Sequence, residues 1–330
     1  MAKYIVKRLL LAILILFGVS LIIYVLMRMM PADFVDQQFA AQTSQGTVSA
    51  EDLARLKEIY GLSDNSFWGL IKGYFQWLGN FCRGNLGQSF KYNQPVAKVI
   101  SQNMWTSFFI AFVSLIFQFL IAIPLGVTAA THQYGVRDYV VTVLTMIGIS
   151  LPSFFFAAML IKIFAVDLGW FPIGGMGDAS VTDASGLSYL LGNIHSLILP
   201  IFTLTVLSIG SLMRYTRTNT LEVLSADYIR TARAKGLKES KVIYKHAFRN
   251  TLIPLVTLLA GILPTLFSGA MITEQVFALP GIGNLAYQAQ IAGDIPFIMG
   301  YNMFLAVLSV LGTLLSDIMY VVVDPRVKLS

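Results

Sequence analysis

Long apolar runs, separated by shorter charged stretches, extend along the whole chain. A bilayer-crossing helix needs ~20 predominantly apolar residues. Six segments meet that length, near 9–29, within 104–130, and near 139–163, 194–213, 251–273 and 298–323. The pattern predicts an all-α polytopic membrane protein with six transmembrane helices. Residues 99–136 hold no Lys, Arg, Asp or Glu. Pro124, Pro152, Pro200 and Pro264 fall inside the runs. Kinks are expected there, with the freed backbone groups met by neighbouring helices or water.

The first run has a basic head, as a signal peptide does. Leu9–Met27 is free of charge for 19 residues, longer than the ~7–15-residue apolar core of a signal peptide. No convincing small-residue cleavage site follows, so it reads as a retained span.

Orientation follows from Lys and Arg, which favour the cytoplasmic side. Lys3, Lys7 and Arg8 precede the first span, Arg137 lies in the 131–138 loop, and Arg326 and Lys328 lie in the tail. The 214–250 loop holds nine basic residues, whereas loops 164–193 and 274–297 hold none. Both termini are therefore expected in the cytoplasm. Loop 31–103 balances six basic residues with six acidic ones, and long loops translocate largely regardless of charge. It is placed outside. Within it, Ser49–Asp52 resembles a helix start, with Leu53, Leu56, Ile59 and Tyr60 at helical spacing and Gly61 as the stop. An aromatic-rich piece, Phe67–Leu78, is expected to lie against the membrane surface.

Composition agrees with lipid as the main solvent. Of 330 residues, 56% are hydrophobic and 12% charged, far from the usual balance of a soluble globular domain. The net charge of +6 then reports topology rather than a nucleic-acid partner. The single cysteine, Cys82, excludes an intrachain disulfide or a paired-thiol site.

Several chemistries lack their motifs. There is no GxxxxGK[ST] phosphate loop, no HExxH and no GxSxG elbow. His132, His195 and His246 have no metal-ligand spacing to one another. No catalytic or metal-binding residue is assigned, and no cofactor is expected on this chain. Charges within spans are the usual functional suspects. Arg28 and Lys162 lie near outer span ends, Glu274 at the outer end of the fifth span, and only Asp317 well inside one. A proton relay or an ion channel would want a series or ring of such groups. A stand-alone secondary transporter is correspondingly disfavoured.

The stretch DYIRTARAKGLKESKVIYKHAFRN, residues 227–250, holds seven basic residues against Asp227 and Glu239. Leu221, Leu224, Tyr228 and Ala232 fall at steps of three and four, the signature of one apolar stripe on a helix. Gly236 suits a left-handed helix cap, and Leu237 is placed for the accompanying contact. Ile243 and Ala247 begin a second stripe. The prediction is helix, glycine turn, helix, beneath the membrane. The patch is membrane-apposed and lacks interleaved stacking aromatics, which argues against nucleic acid.

RTARAKGLKESKVIYKHAFRNTLIP closely resembles the cytoplasmic motif of permease subunits in binding-protein-dependent ABC importers, best in the dipeptide/oligopeptide branch. YIVKRLL at 4–10, YGL at 60–62, GNLGQSF at 84–90 with Pro95-Val96, LGWFPIGG at 168–175, EQVFALPGIG at 274–283 and VVVDPRVKL at 321–329 resemble the same branch, in order. One departure is that the superfamily's Glu-Ala-Ala is replaced by Arg230, Thr231 and Ala232, as is common in the peptide branch.

The resemblance implies a type I importer fold divided into a first helix (1–30), an extracytoplasmic helical loop (31–103), a membrane domain (104–323) carrying the coupling loop 214–250, and a cytoplasmic tail (324–330). It implies a multi-pass protein of the bacterial cytoplasmic membrane. Its partners would be a second homologous permease, two ABC ATPase subunits that bind ATP and Mg, and an extracytoplasmic substrate-binding protein. The helix at roughly 222–236 would seat in a groove on one ATPase. Asp227, Tyr228, Arg230, Thr231, Ala232, Arg233, Lys235, Gly236 and Leu237 would form that contact, with small Ala232 permitting close approach and the basic residues pairing with acidic groups on the rim. Oligopeptides are the expected cargo; dipeptides, nickel and glutathione are the alternatives within the class. Gln118, Ser150, Ser153 and Asn302 are candidates for the translocation path.

Overall fold

The structure, a computed structural model, describes residues 2–29, 66–176 and 187–323. The helix start at 49–52 and the tail at 324–330 lie outside the described residues. Helices come in the order α1 (Ala2–Arg28), α2 (Phe67–Cys82), α3 (Val96–Thr131), α4 (Val136–Ser150), α5 (Ser153–Leu160), α6 (Leu187–Gly192) and α7 (Ile194–Ser225). They continue with α8 (Asp227–Ala234), α9 (Phe248–Gly261), α10 (Leu263–Ser268), α11 (Met271–Val276), α12 (Ile282–Ile291) and α13 (Ile295–Val323). Among the described residues, four helices are long and apolar enough to span a bilayer: α1, α3, α7 and α13. A fifth span is available if α4 and the helical segment Ser153–Asp167, bent by 98° at Leu151–Pro152, count as one.

The fifth expected span, near 251–273, is instead divided among α9, α10 and α11. Pro264 begins a helix there, and Gly269 (φ +76°) ends it. Pro124 and Pro200, by contrast, are carried inside continuous helices. Of the four prolines expected to kink a span, Pro152 marks the sharp break.

The described residues form two compact units, one drawn from 1–103 and 285–311, the other from 104–284 and 312–323. In the first, Tyr24 and Met27 of α1 pack with Tyr74 and Trp77 of α2 and with Ile295, Met299 and Met303 of α13. The hydroxyls of Ser20 and Tyr74 meet at 2.8 Å. The outward faces of α1 and α2 stay apolar and exposed, at Ile13, Leu14, Phe67, Trp68 and Phe75, as a lipid-facing surface requires.

GNLGQSF and Pro95 form a turn in this unit, held by buried Asp294. Its carboxylate accepts from Ser89 Oγ at 2.5 Å and the Lys91 backbone N–H at 3.1 Å, and it caps α13 by accepting from Phe297 N–H at 3.1 Å. Tyr92 donates to the Leu285 carbonyl at 2.8 Å. Burial, reinforced by the Asp294 charge, pushes the Tyr92 phenol up to about 12.

In the second unit α7 is the central helix. Ser114 and Gln118 of α3 donate to the Ile201 and Ser208 carbonyls at 3.2 and 3.0 Å. Gly210 brings α4 close, since a Cβ there would sit 2.5 Å from the Thr145 carbonyl oxygen. Farther along, Arg217 makes a bidentate pair with Asp138 at 2.7 and 2.8 Å.

Candidate functional site

The cytoplasmic motif hangs from the end of α7. Ala226 is extended (φ −68°, ψ 148°) and separates α7 from α8. The helix expected over 222–236 is therefore two helices meeting at an angle. One extended residue shifts the 3.6-residue phase, so the buried stripe of α8 is Ile229 and Ala232, while Tyr228 turns outward with 46% of its surface exposed. After the Gly236 turn and the short helical piece Glu239–Lys241, a π-helical segment Val242–Ala247 returns to α9. Val242 and Ala247 close on Ile229 and Ala232, with Val223, Leu224 and Leu237 around them. The second stripe thus begins at Val242 rather than Ile243, which is half-buried.

Ala232 is buried, its methyl packed inside this small core. The exposed face of the motif is Asp227, Tyr228, Arg230, Thr231 and Lys235. Asp227 and Arg230 approach at 3.6 Å, and Thr231 Oγ1 donates to the Asp227 carbonyl. Arg233 is committed within the chain, clamping Glu239 through two hydrogen bonds of 2.7 and 3.2 Å across the turn. That guanidinium holds the Glu239 carboxyl below the usual carboxylate range. Gly236 sits at φ +73°, with open space where a Cβ would be. The need for glycine is thus backbone conformation alone.

The translocation candidates have separate fates. Gln118 is turned to α7, donating to Ser208. Ser150, exposed, donates to the Met146 carbonyl of its own helix. Ser153 opens α5, half-buried. Asn302 lines an apolar cavity of about 640 Å³ with Ile15, Val19, Met27, Met299 and Leu305. A second cavity, of about 420 Å³, is lined by Ile149 of α4 and by Ser211, Arg214, Tyr215, Thr218 and Asn219 of α7. The five on α7 fall within three turns of that helix.

EQVFALPGIG builds a second polar node. Glu274, 1% exposed, accepts from Ser107 Oγ at 2.6 Å, Ala270 N–H at 3.0 Å and Asn284 N–H at 2.9 Å. Ser107 in turn accepts from Ile282 N–H at 2.8 Å. A Cβ on Gly281 would come within 2.3 Å of the Glu274 carboxylate. The charged group expected at a span end is thus fully enclosed.

Residues 122–329 match the family model described as binding-protein-dependent transport system inner membrane component. Residues 1–111 match the companion model for the N-terminal part of such membrane components. The chain belongs to this family. It is a multi-pass membrane component of a binding-protein-dependent transport system, as the motif resemblance implied. It is 38% identical over 329 residues to the oligopeptide transport system permease protein AppB of Bacillus subtilis, covering 99% of this chain and 100% of that one. It is 33% identical to the oligopeptide transport system permease protein OppB of Haemophilus influenzae, with the same coverage. An inward-facing structure of the MetNI methionine ABC transporter matches with a TM-score of 0.50 at 19% identity, over 68% of this chain and 96% of that one. That likeness shows the fold of an ABC importer permease.

Proposed function

We propose that this inner membrane component is the permease subunit of an ATP-driven importer of oligopeptides in a bacterial cytoplasmic membrane. The peptide cargo is supported by the names of its full-length relatives, AppB and OppB. The observation that carries the mechanism is the α8 motif, a short helix with an exposed polar face, held by its own core at the end of α7. In this reading α8 seats in a groove of one of two ABC ATPase subunits, and a second, homologous permease supplies the other half of the pathway. ATP and Mg belong to the ATPase pair. Closure of that pair moves α8, and α7 carries the displacement into the membrane. An extracytoplasmic binding protein delivers the peptide on the other face.

The residues fit these tasks. Tyr228, Thr231 and Lys235 offer contacts outward, while Ile229 and Ala232 make the helix rigid with its support. The Arg217–Asp138 pair holds α7 against α4 near the origin of the motif, so a push on α8 moves packed helices together rather than bending one. Reconstitution with the neighbouring permease, ATPases and binding protein tests the reading. Peptide-stimulated ATP hydrolysis and accumulation of peptide in proteoliposomes are expected. Stimulation by nickel or a sugar with none by peptides would contradict the cargo.

A further inference from the structure

Helix α2 rests on the last turns of α1. The Tyr74 ring packs edge-on against Phe17 and Tyr24, at 5.8 and 5.5 Å between centroids, and Trp77 packs on Tyr24 at 5.9 Å. Away from this contact, α2 exposes Phe67, Trp68 and Phe75, with Lys72 exposed among them. Aromatic rings and basic residues gather where hydrocarbon meets water. Because α1 is a span ending at Arg28, α2 crosses it close to that boundary.

Between the two helices lies a trough of about 800 Å³, walled by Phe17, Leu21 and Val25 of α1 and by Leu70, Ile71 and Phe75 of α2. From Phe17 to Arg28 it runs about 16 Å along α1, half of a ~30 Å hydrocarbon core and so the depth of one leaflet. Among the described residues that line it, Arg28 alone is charged. The Tyr74 hydroxyl is taken up by Ser20 at 2.8 Å, and that of Tyr24 accepts from Arg28 Nε at 3.4 Å. The Arg28 guanidinium stands 5.8 Å from the Tyr24 ring centroid, at the end of the trough.

The space is therefore apolar along its length and cationic at its mouth, the polarity of an amphiphile with an anionic head. Spanning helices pack on one another through small residues that let their backbones approach. The described wall has no Gly, Ala, Ser or Thr, so a partner helix fits it poorly. A peptide would leave backbone groups unpaired against such a wall. The guanidinium fork, with five N–H donors, matches phosphate oxygens. We propose that the trough seats an acyl chain of an anionic phospholipid, with the lipid phosphate on Arg28 and Lys72 adding to the local positive charge. The inference stands on α1 and α2 and is independent of the cargo.

The test uses the full-length chain in the assembly purified from membranes, placed in phosphatidylcholine nanodiscs. The probes are phosphatidylglycerol and phosphatidylcholine carrying the same photoreactive acyl chain, with adducts mapped by mass spectrometry. Adducts are expected on 17–29 and 67–75, about tenfold more from phosphatidylglycerol, the scale of one charge-assisted contact. Arg28→Gln should bring phosphatidylglycerol down to the phosphatidylcholine level, while Arg28→Lys keeps part of the excess. Leu21→Trp, at an exposed position, should fill the trough and lower labelling by both lipids. Equal labelling of the wild type by the two lipids overturns the proposal, as does an excess that survives Arg28→Gln or labelling that survives Leu21→Trp. Adducts confined to other segments overturn it as well, since another part of the assembly then fills the trough.

Discussion

Arg217 of α7 and Asp138 of α4 form a bidentate ion pair at 2.7 and 2.8 Å, with the carboxylate side chain 7% exposed. Removing one partner of a buried pair leaves the other charge uncompensated, at a cost of about 3–5 kcal/mol. Asp138→Ala is expected to lower the thermal midpoint of the detergent-solubilised protein clearly. A paired Asp138→Leu, Arg217→Met replacement should recover most of that loss. If the double variant is as unstable as the sum of the singles, the pair is not what holds α7 to α4 here.

Gly236 offers a graded test of the turn. Its φ of +73° with no nearby atoms means that only backbone strain, about 1–2 kcal/mol for a residue with a Cβ, opposes substitution. Asn visits this region readily and β-branched residues resist it. Substrate-stimulated ATPase should therefore fall in the order Asn, Ala, Val, with Gly236→Val losing it while remaining in the membrane. Equal activity across the series would show that the turn geometry does not matter.

The Glu274 node should respond to volume more than to charge. Gly281→Ala places a methyl against the carboxylate, and overpacking of this kind costs typically about 1–3 kcal/mol. Glu274→Gln keeps the shape and an acceptor oxygen for part of the donor set. Comparison of thermal midpoints should rank Gly281→Ala below Glu274→Gln. The reverse ranking would mean that charge, not fit, secures the PGIG turn.

The core under α8 makes a further distinction. Ile229 is fully buried, whereas Thr231 faces out. Ile229→Ala should cost about 2–5 kcal/mol locally and raise hydrogen exchange across 223–247. Thr231→Ala should leave exchange unchanged. Matching exchange in the two variants would contradict the assigned faces.

Much of the motif was legible in the sequence because glycine at a helix end and basic loop charge have direct physical meaning. Gly236 and the turn it makes were found that way. The phase of α8 was not, because an extended alanine at 226 carries no side-chain signature, and the stripe slipped from Tyr228 to Ile229. The division of the fifth expected span was partly legible in Gly261, Pro264 and Gly269, which an apolar count ignores. Asp294 with Ser89, and Glu274 with Ser107, join residues far apart in the chain, and no local period reports such pairs. Translocation candidates chosen singly as polar residues in apolar runs mostly proved to bond backbone carbonyls, which is the ordinary fate of Gln and Ser in helices.

The central claim, that α8 is the contact with an ATPase, is tested most directly by photo-cross-linking from position 231. A photoreactive residue there, in the assembled importer, should give an adduct with an ATPase subunit, and the same residue at 190, in the buried core beside α7, should give none. Absence of an ATPase adduct from position 231 in a complex that hydrolyses ATP in response to peptide would contradict the account.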